Sequence, residues 1–143
     1  MSSTICDVAV IGGGLAGLSA AVRAAAGGAS VICFEGAPLY GGLVANVGRL
    51  DDYPAQDATA GAALADQLLE RARELEVGLV QAQVTAMQTA GEGQSIVAGT
   101  HTYKCRAVII ASGARLRQLG VPGEQELTEL AQNPLLGDTK STA

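Results

Sequence analysis

Three glycines near the amino terminus have the spacing that pyrophosphate binding requires. Gly12, Gly14 and Gly17 follow the pattern G-x-G-x-x-G within the segment VAVIGGGLAG. In such a pattern the first glycine permits a tight turn, the second lets the backbone approach the phosphates, and the third lets a helix pack closely. A helix that begins here presents free N–H groups and the positive end of its dipole to the phosphates. The predicted phosphate loop also contains Gly13, Leu15 and Ala16.

An acidic residue follows the glycines at the distance expected for a nucleotide ribose. Glu35 ends a second apolar run, VICFE, about 20 residues after the loop. A carboxylate at this place accepts hydrogen bonds from ribose hydroxyls, and it repels a 2′-phosphate. We therefore expect a dinucleotide, and we regard NADP as poorly suited. The alternative is a glycine-rich turn in another kind of α/β protein.

The elements that must position these residues form a βαβ unit. The run Thr4–Ile11 is apolar with little alternation, which is typical of a buried parallel strand. Leu15–Ala26 is Ala-rich and helical, and Gly27 and Gly28 end it. Ser30–Phe34 predicts the second strand, joined by a right-handed crossover.

The remainder of the chain predicts a second helix and more strands. An irregular segment spans residues 36–58, and it is followed by a predicted helix, Thr59–Leu75. That helix has Leu64, Leu68, Ala72 and Leu75 on one face and Asp66, Glu70, Arg71, Arg73 and Glu74 elsewhere. The predicted strands are one within Val77–Val84, an antiparallel meander of Val84–Met87, Ser95–Ala98 and Thr100–Lys104, and a buried strand, Ala107–Ala111. A short helix is expected within Glu124–Gln132, and a loose tail over Asn133–Ala143.

Composition narrows the function classes. The 143 residues suit one domain, and 48% are apolar although only 3% are aromatic, which predicts a core of small side chains. A net charge of −5 without a basic stripe argues against nucleic acid, and no apolar run reaches membrane-spanning length. The amino terminus lacks the basic region of a signal peptide. We expect no metal site, and no catalytic acid, base or nucleophile can be assigned.

The cysteines point to a reducing compartment. Cys6, Cys33 and Cys105 are odd in number and form no C-x-x-C. They are predicted to be small buried residues of a reduced, cytoplasmic protein. A catalytic thiol among them is the alternative.

Several segments together resemble the FAD-binding half of thioredoxin-reductase-like flavoproteins, which are pyridine nucleotide-disulphide oxidoreductases. VIGGGLAG resembles the family's pyrophosphate loop, and FEG, with Glu35 and Gly36, resembles its ribose-binding acid. LDDYPA and IIASGARLRQLGVPGE resemble two later segments of the same domain. The resemblance implies an α/β, Rossmann-like fold with a parallel sheet, helices and a small antiparallel meander. It divides the chain into an FAD-binding domain, residues 1–123, and a short helix or tail, residues 124–143.

The resemblance also implies further cofactor contacts. Gly41 and Gly42 match a turn beside the flavin, although the family's following Gln is Leu43 here. Asn46 matches a residue near the isoalloxazine edge, and Val84 one whose backbone meets the adenine. The strand end is predicted to contribute Ala111, Ser112 and Gly113. For the glycine pair an ordinary turn is the alternative, and for Asn46 the alternative is a loop Asn that caps its own backbone.

Two departures from the family limit the expected function. The sequence has no second G-x-G-x-x-G and no dithiol motif, and the family's closing segment of the type GxFAAGD is not found. We expect an FAD-binding domain related to NAD(P)H-dependent oxidoreductases, with little disulfide reductase activity alone. The alternatives are a dinucleotide-binding module or partner subunit that completes its site with another chain, for example as a homodimer, or an inert α/β scaffold.

Overall fold

The amino-terminal part of the chain folds as the predicted βαβ unit. The computed structural model describes residues 4–51, 53, 59–91, 93–114, 117 and 119–127. Strand β1 is Thr4–Ile11, helix α1 is Leu15–Ala26 and strand β2 is Val31–Glu35. The bounds of β1 and α1 are those predicted, and β2 lies one residue later. Gly28 ends α1 with a φ of +87°, a conformation that glycine adopts without strain.

A second helix and a third parallel strand follow. Helix α2 is Gly61–Glu74 and strand β3 is Gly78–Gln81. Leu64 and Ala72, on the predicted apolar face of α2, are 2% and 0% exposed. Its charged side chains are exposed, as predicted, and they include the pairs Arg71–Glu74 and Arg73–Glu70. Such exposed pairs contribute little to stability, so the buried face holds α2 in place.

The remaining strands complete one mixed sheet. Strand β4 is Val84–Ala90, β5 is Gly93–Ala98 and β6 is His101–Ile110. The sheet order is β3-β2-β1-β6-β5-β4. Strands β3, β2, β1 and β6 are parallel to one another, whereas β5 is antiparallel to both β4 and β6. The predicted α/β class with a small antiparallel meander is confirmed.

Strand β6 corrects two predictions. The segments Thr100–Lys104 and Ala107–Ala111 were expected to be separate strands, but one strand, β6, spans most of both. Its first half pairs with β5 as far as Cys105, and its pairing with β1 continues to Ile110. No Gly or Pro interrupts it, so nothing local ends the strand. Ile110 is 66% exposed rather than buried, because no described strand pairs with β6 on the β5 side beyond Cys105.

The core lies on both faces of the sheet. Val31 and Cys33 of β2 point toward the helices, where they pack with residues such as Ala21 and Ala72. The alternate residues Ile32 and Phe34 pack on the other face. The fully buried residues are mostly small, as composition predicted, with Phe34 as the aromatic exception. All three cysteines are free and buried, so their predicted burial is confirmed.

The chain divides into two compact units, Met1–Gly113 and Ala114–Ala143. In the second unit, residues 124–127 form one helical turn. The Glu124 carboxylate accepts hydrogen bonds from the N–H groups of Leu119 and Gly120, which lowers the pKa of Glu124. The rest of the predicted helix and the tail from Asn133 lie outside the described residues, and the predicted boundary at residue 123 stays a prediction. No helix in the described part of the chain is long and apolar enough to span a membrane.

Candidate functional site

Two glycines of the loop are required by the fold itself. Gly12 has a φ of +107°, and a Cβ on it would lie 2.2 Å from the carbonyl oxygen of Ala111. A Cβ on Gly17 would lie 1.8 Å from the carbonyl oxygen of Gly12. The tight turn at Gly12 and the close helix packing at Gly17 are therefore as predicted.

Gly14 differs, because the fold leaves room for a side chain there. Its φ is −76°, and a Cβ on it would meet nothing closer than the Gly42 Cα at 3.7 Å. Gly14 is also the N-cap of α1, and it provides no side-chain cap. The first intrahelical bond runs from the Leu18 N–H to the Gly14 carbonyl oxygen, at 2.9 Å. The N–H groups of the first turn of α1 therefore have no acceptor within the helix, and a helix N-terminus of this kind can bind phosphate.

Glu35 is held beside the loop by backbone hydrogen bonds. Its carboxylate accepts one from the Gly13 N–H at 2.8 Å and one from the Ala37 N–H at 2.7 Å. A carboxylate has about four acceptor positions, so two bonds leave capacity for a hydroxyl donor. The structure therefore brings the predicted ribose-binding acid to the glycine loop.

The second glycine pair docks a short helix onto the loop. A 3-10 helix spans Gly42–Asn46, and the Gly41 N–H before it donates to the Gly13 carbonyl oxygen at 2.8 Å. Gly41 and Gly42 have φ values of +115° and +60°. A Cβ on Gly42 would lie 3.0 Å from the Gly14 Cα. This close backbone approach explains the glycine at position 42, whereas a Cβ on Gly41 would lie 2.9 Å from the Ala65 Cβ, so the fold favours glycine at both positions independently of any ligand.

Two residues that support the site, Tyr40 and Gln81, were not predicted from the sequence. The Tyr40 ring lies against Gly13, whose Cβ would be 2.3 Å from the ring, and its hydroxyl donates to the Cys33 carbonyl oxygen at 3.4 Å. Burial, and then the nearby Cys33 and Glu35, raise the pKa of Tyr40 to about 12, so it remains a neutral donor. The Gln81 side-chain amide donates to the carbonyl oxygens of Ala37 and Glu35. Gln81 is the register partner of Glu35, a relation visible only once the strand order is known.

The other predicted residues lie at the same edge of the sheet or beside it. The Ala111 N–H donates to the Ile11 carbonyl oxygen at 2.8 Å, which fixes Ala111 under the loop. A Cβ on Gly36 would lie 3.2 Å from the Gln83 Cβ, so the Glu35–Gly36 turn is adjacent to the start of β4 at Val84. Leu43 is 72% exposed, and Asn46, Ser112 and Gly113 are exposed. The cofactor contacts of these residues stay predictions.

The described residues contain no group of three or more side chains that could hold a metal ion. The site instead combines backbone donors at a helix N-terminus, one oriented carboxylate and a docked loop. This arrangement can bind a phosphate-containing dinucleotide, and it contains no evident acid–base pair.

Comparisons with known proteins agree with this geometry. Residues 6–139 match the family described as pyridine nucleotide-disulphide oxidoreductase. The chain is 39% identical over 128 residues to the thioredoxin reductase of Mycolicibacterium smegmatis, covering 89% of this chain and 41% of that protein. It is 36% identical to the thioredoxin reductase of Bacillus subtilis, covering 86% and 39%.

Solved structures show the same relation. A thioredoxin reductase from Streptococcus pyogenes superposes with a TM-score of 0.76 at 33% identity, covering 87% of this chain and 40% of that one. A thioredoxin reductase from Lactococcus lactis superposes with a TM-score of 0.79 at 29% identity, covering 87% and 41%. The chain thus spans about 40% of the length of these relatives and is homologous to their FAD-binding domain. The glycine loop, its acid and the matched range together identify the chain as a member of the pyridine nucleotide-disulphide oxidoreductase family.

Proposed function

We propose that this chain binds FAD along the carboxyl edge of its parallel sheet, as the FAD-binding part of a thioredoxin-reductase-like oxidoreductase. The observation that carries the proposal is the open space beside Gly14, directly before the uncapped first turn of α1. The fold alone does not demand glycine there, whereas a pyrophosphate that approaches the backbone does.

Each part of the cofactor has residues suited to it. The loop from Gly12 to Gly17 would hold the pyrophosphate, and the remaining acceptor positions of Glu35 would receive a ribose hydroxyl. The backbone near Val84 would meet the adenine. Gly41, Gly42, Leu43 and Asn46 would lie along the flavin, with Ala111, Ser112 and Gly113 at the strand end. When bound, FAD supplies the redox chemistry, and the protein supplies orientation and electrostatics.

In this proposal, sites for the electron donor and acceptor lie outside these 143 residues, for example on a partner chain. The sequence has no C-x-x-C motif, so we expect little disulfide reductase activity from the chain alone. The three free thiols are consistent with the proposed cytoplasmic, reducing location.

The first test is the visible absorbance of the purified protein after addition of FAD and desalting. We expect a retained flavin spectrum, and a melting temperature that rises with FAD but not with NADP. At a ligand concentration 100 times the dissociation constant, binding stabilises a protein by about 2.7 kcal/mol, which such a melt detects. A colourless protein with an unchanged melting temperature in FAD would contradict the proposal and favour an inert scaffold.

A partner-completed site is the second candidate, and the exposed end of β6 favours it. Ile109 and Ile110 are 36% and 66% exposed, and β6 has no described neighbour on the β5 side beyond Cys105. An unpaired strand edge of this kind readily accepts another strand. Size measurement by light scattering, with and without FAD, separates the two candidates. A dimer whose formation requires FAD favours the second, and a monomer that retains FAD contradicts it.

A further inference from the structure

Two of the buried cysteines lie directly opposite each other on neighbouring strands. Cys6 of β1 and Cys105 of β6 are register partners in a parallel pair. Neighbouring strands are about 4.8 Å apart, and opposed residues project from the same face of the sheet. Disulfide-bonded cysteines have Cα atoms roughly 4.4–6.8 Å apart, so the strand pairing already supplies the required separation.

Both residues of the pair border a cavity. The cavity has a volume of about 210 Å³. Its lining includes Cys6, Gly93, Gln94, Lys104, Cys105 and Arg106. A Cβ on Gly93 would lie 2.6 Å from the Cys105 carbonyl oxygen, so glycine lets β5 approach β6 here, and the Cys105 Sγ lies 3.8 Å from the Gln94 carbonyl oxygen. Each cysteine is only 4% exposed and packs in the buried cluster that contains Phe34 and Ile96, so oxidation requires local opening of the structure around the pair.

Charges around the cavity favour an anionic reagent. Lys104 and Arg106 are exposed cations on its rim. Asp7 opposes them in part, since its carboxylate lies 3.3 Å from the Arg106 guanidinium and beside Cys6. Because Lys104 and Arg106 flank Cys105 in β6, their side chains project from the opposite face of the sheet, so these charges attract an anionic disulfide to this part of the sheet without contacting the sulfurs.

From this geometry we propose that Cys6 and Cys105 form a redox-active dithiol, which a small-molecule disulfide converts to an intramolecular disulfide. One cysteine, as thiolate, attacks a sulfur of R–S–S–R, and the departing R–S⁻ takes up a proton. The second cysteine loses its proton and attacks the protein sulfur of the mixed disulfide, which releases the second R–S⁻. The protein loses two electrons and two protons, and R–S–S–R becomes two R–SH.

This site is separate from the nucleotide site and has an internal control. Cys6 lies in the amino-terminal half of β1, whereas the glycine loop follows the strand's carboxyl end. Cys33 is 0% exposed, and its partner on β1 is Val10, so it has no cysteine opposite.

Burial, and then the charge of Cys105, raise the pKa of Cys6 to about 11. Because both cysteines are then mostly protonated near neutrality, we expect oxidation over minutes to hours.

The test uses the full chain and oxidised glutathione as the disulfide. After incubation, thiols are counted in denaturant, and the cysteine-containing peptides are mapped by mass spectrometry. We expect the count to fall from three to one, with Cys6 linked to Cys105 and Cys33 free. Cys33→Ala is the matched control and should still lose two thiols. Cys6→Ala and Cys105→Ala should stop at a mixed disulfide.

Oxidation should also raise the melting temperature of the wild-type chain, because the bond closes the long loop between β1 and β6. Cys105→Ala should show no such rise. Three remaining thiols in the folded wild type, a link that includes Cys33, or a link between two chains on a non-reducing gel would overturn the proposal. Peptide mapping of the wild type shows whether Cys6 is linked to Cys105 even where a variant fails to fold.

Discussion

At the residue scale, one glycine motif meets two different requirements. Gly12 and Gly17 are imposed by the fold, because a Cβ on either one would lie only 2.2 Å or 1.8 Å from a backbone carbonyl oxygen. Gly14 faces open space and is imposed by the ligand we propose. Identical residues in one short motif therefore predict opposite consequences on substitution.

The pair Gly14→Ala and Gly17→Ala separates these requirements. We expect Gly14→Ala to lose FAD affinity at a stability cost of no more than about 1 kcal/mol, because its Cβ fits the fold and faces the approaching phosphates, although Ala is a poorer N-cap than Gly. Gly17→Ala should be destabilised by about 1–3 kcal/mol or more, as in other overpacked sites. Urea unfolding and FAD fluorescence titration measure the two effects. Normal FAD binding by a folded Gly14→Ala variant would contradict the phosphate-loop assignment.

Glu35 provides the second test at this scale. Glu35→Gln keeps the size of the side chain, removes the charge that strengthens a hydrogen bond to ribose, and replaces one of the two oxygens that accept the Gly13 and Ala37 N–H groups. Hydrogen bonds to charged groups contribute about 1.5–3 kcal/mol, so the dissociation constant for FAD should rise roughly ten- to hundredfold. Glu70→Gln, on the exposed face of α2, is the control and should bind as wild type. Equal affinities of the two variants would show that Glu35 does not contact the ribose.

At the scale of elements, the docking of the 3-10 helix on the glycine loop is the feature most open to test. Gly42→Ala places a Cβ 3.0 Å from the Gly14 Cα at a φ of +60°, so the short helix must shift from the loop. We expect a loss of stability of about 1–2 kcal/mol from the backbone strain, and weaker FAD binding. Gly48→Ala in the same segment meets nothing within 4 Å and should change neither property. Similar melting temperatures for the two variants would argue against the docking.

Strand β6 shows how one element joins two parts of the sheet. Its first half pairs with β5 in the meander, and its pairing with β1 lies in the parallel sheet beside the nucleotide site. The loop at Ala111 is thereby placed under Gly12. The exposed isoleucines at its end follow from the same geometry, because β5 leaves the pairing at Cys105.

For the molecule as a whole, the buried thiols predict alkaline sensitivity. Burial, and then the charge of Glu35, raise the pKa of Cys33 to about 12, and Cys6 has a pKa of about 11. In the unfolded chain a thiol loses its proton near about pH 8.5–9. Above that pH the unfolded chain binds fewer protons than the native one, so the free energy of unfolding falls as pH rises toward 11–12.

Urea unfolding with reductant, from neutral pH to about pH 11, measures this decline. The free energy of unfolding should fall with pH in the wild type and should fall less in Cys33→Ala. This comparison holds even if the substitution lowers the free energy of unfolding at neutral pH. Tyr40, with a pKa of about 12, should leave a residual decline in the variant. If the free energy of unfolding of Cys33→Ala falls with pH in parallel with that of the wild type, Cys33 does not contribute to the loss of stability at high pH.

Much of the local structure and the candidate site could be predicted from the sequence, because they depend on neighbouring residues. The bounds of β1 and α1 follow from an apolar run, a glycine motif and a paired-glycine stop, and all of these signals lie within a few residues. The nearness of Glu35 to the loop follows from the βαβ crossover, which spans about 20 residues.

Other features depended on the tertiary structure. Gln81 supports Glu35, and Cys6 faces Cys105, because of strand register across the sheet. The 3-10 helix reaches the glycine loop only because Gly41 and Gly42 allow two backbones to meet. Local sequence pattern specifies which residues form a strand or helix, but contacts between distant segments are set by the order and register in which those elements pack, and the pattern within each segment carries no record of either.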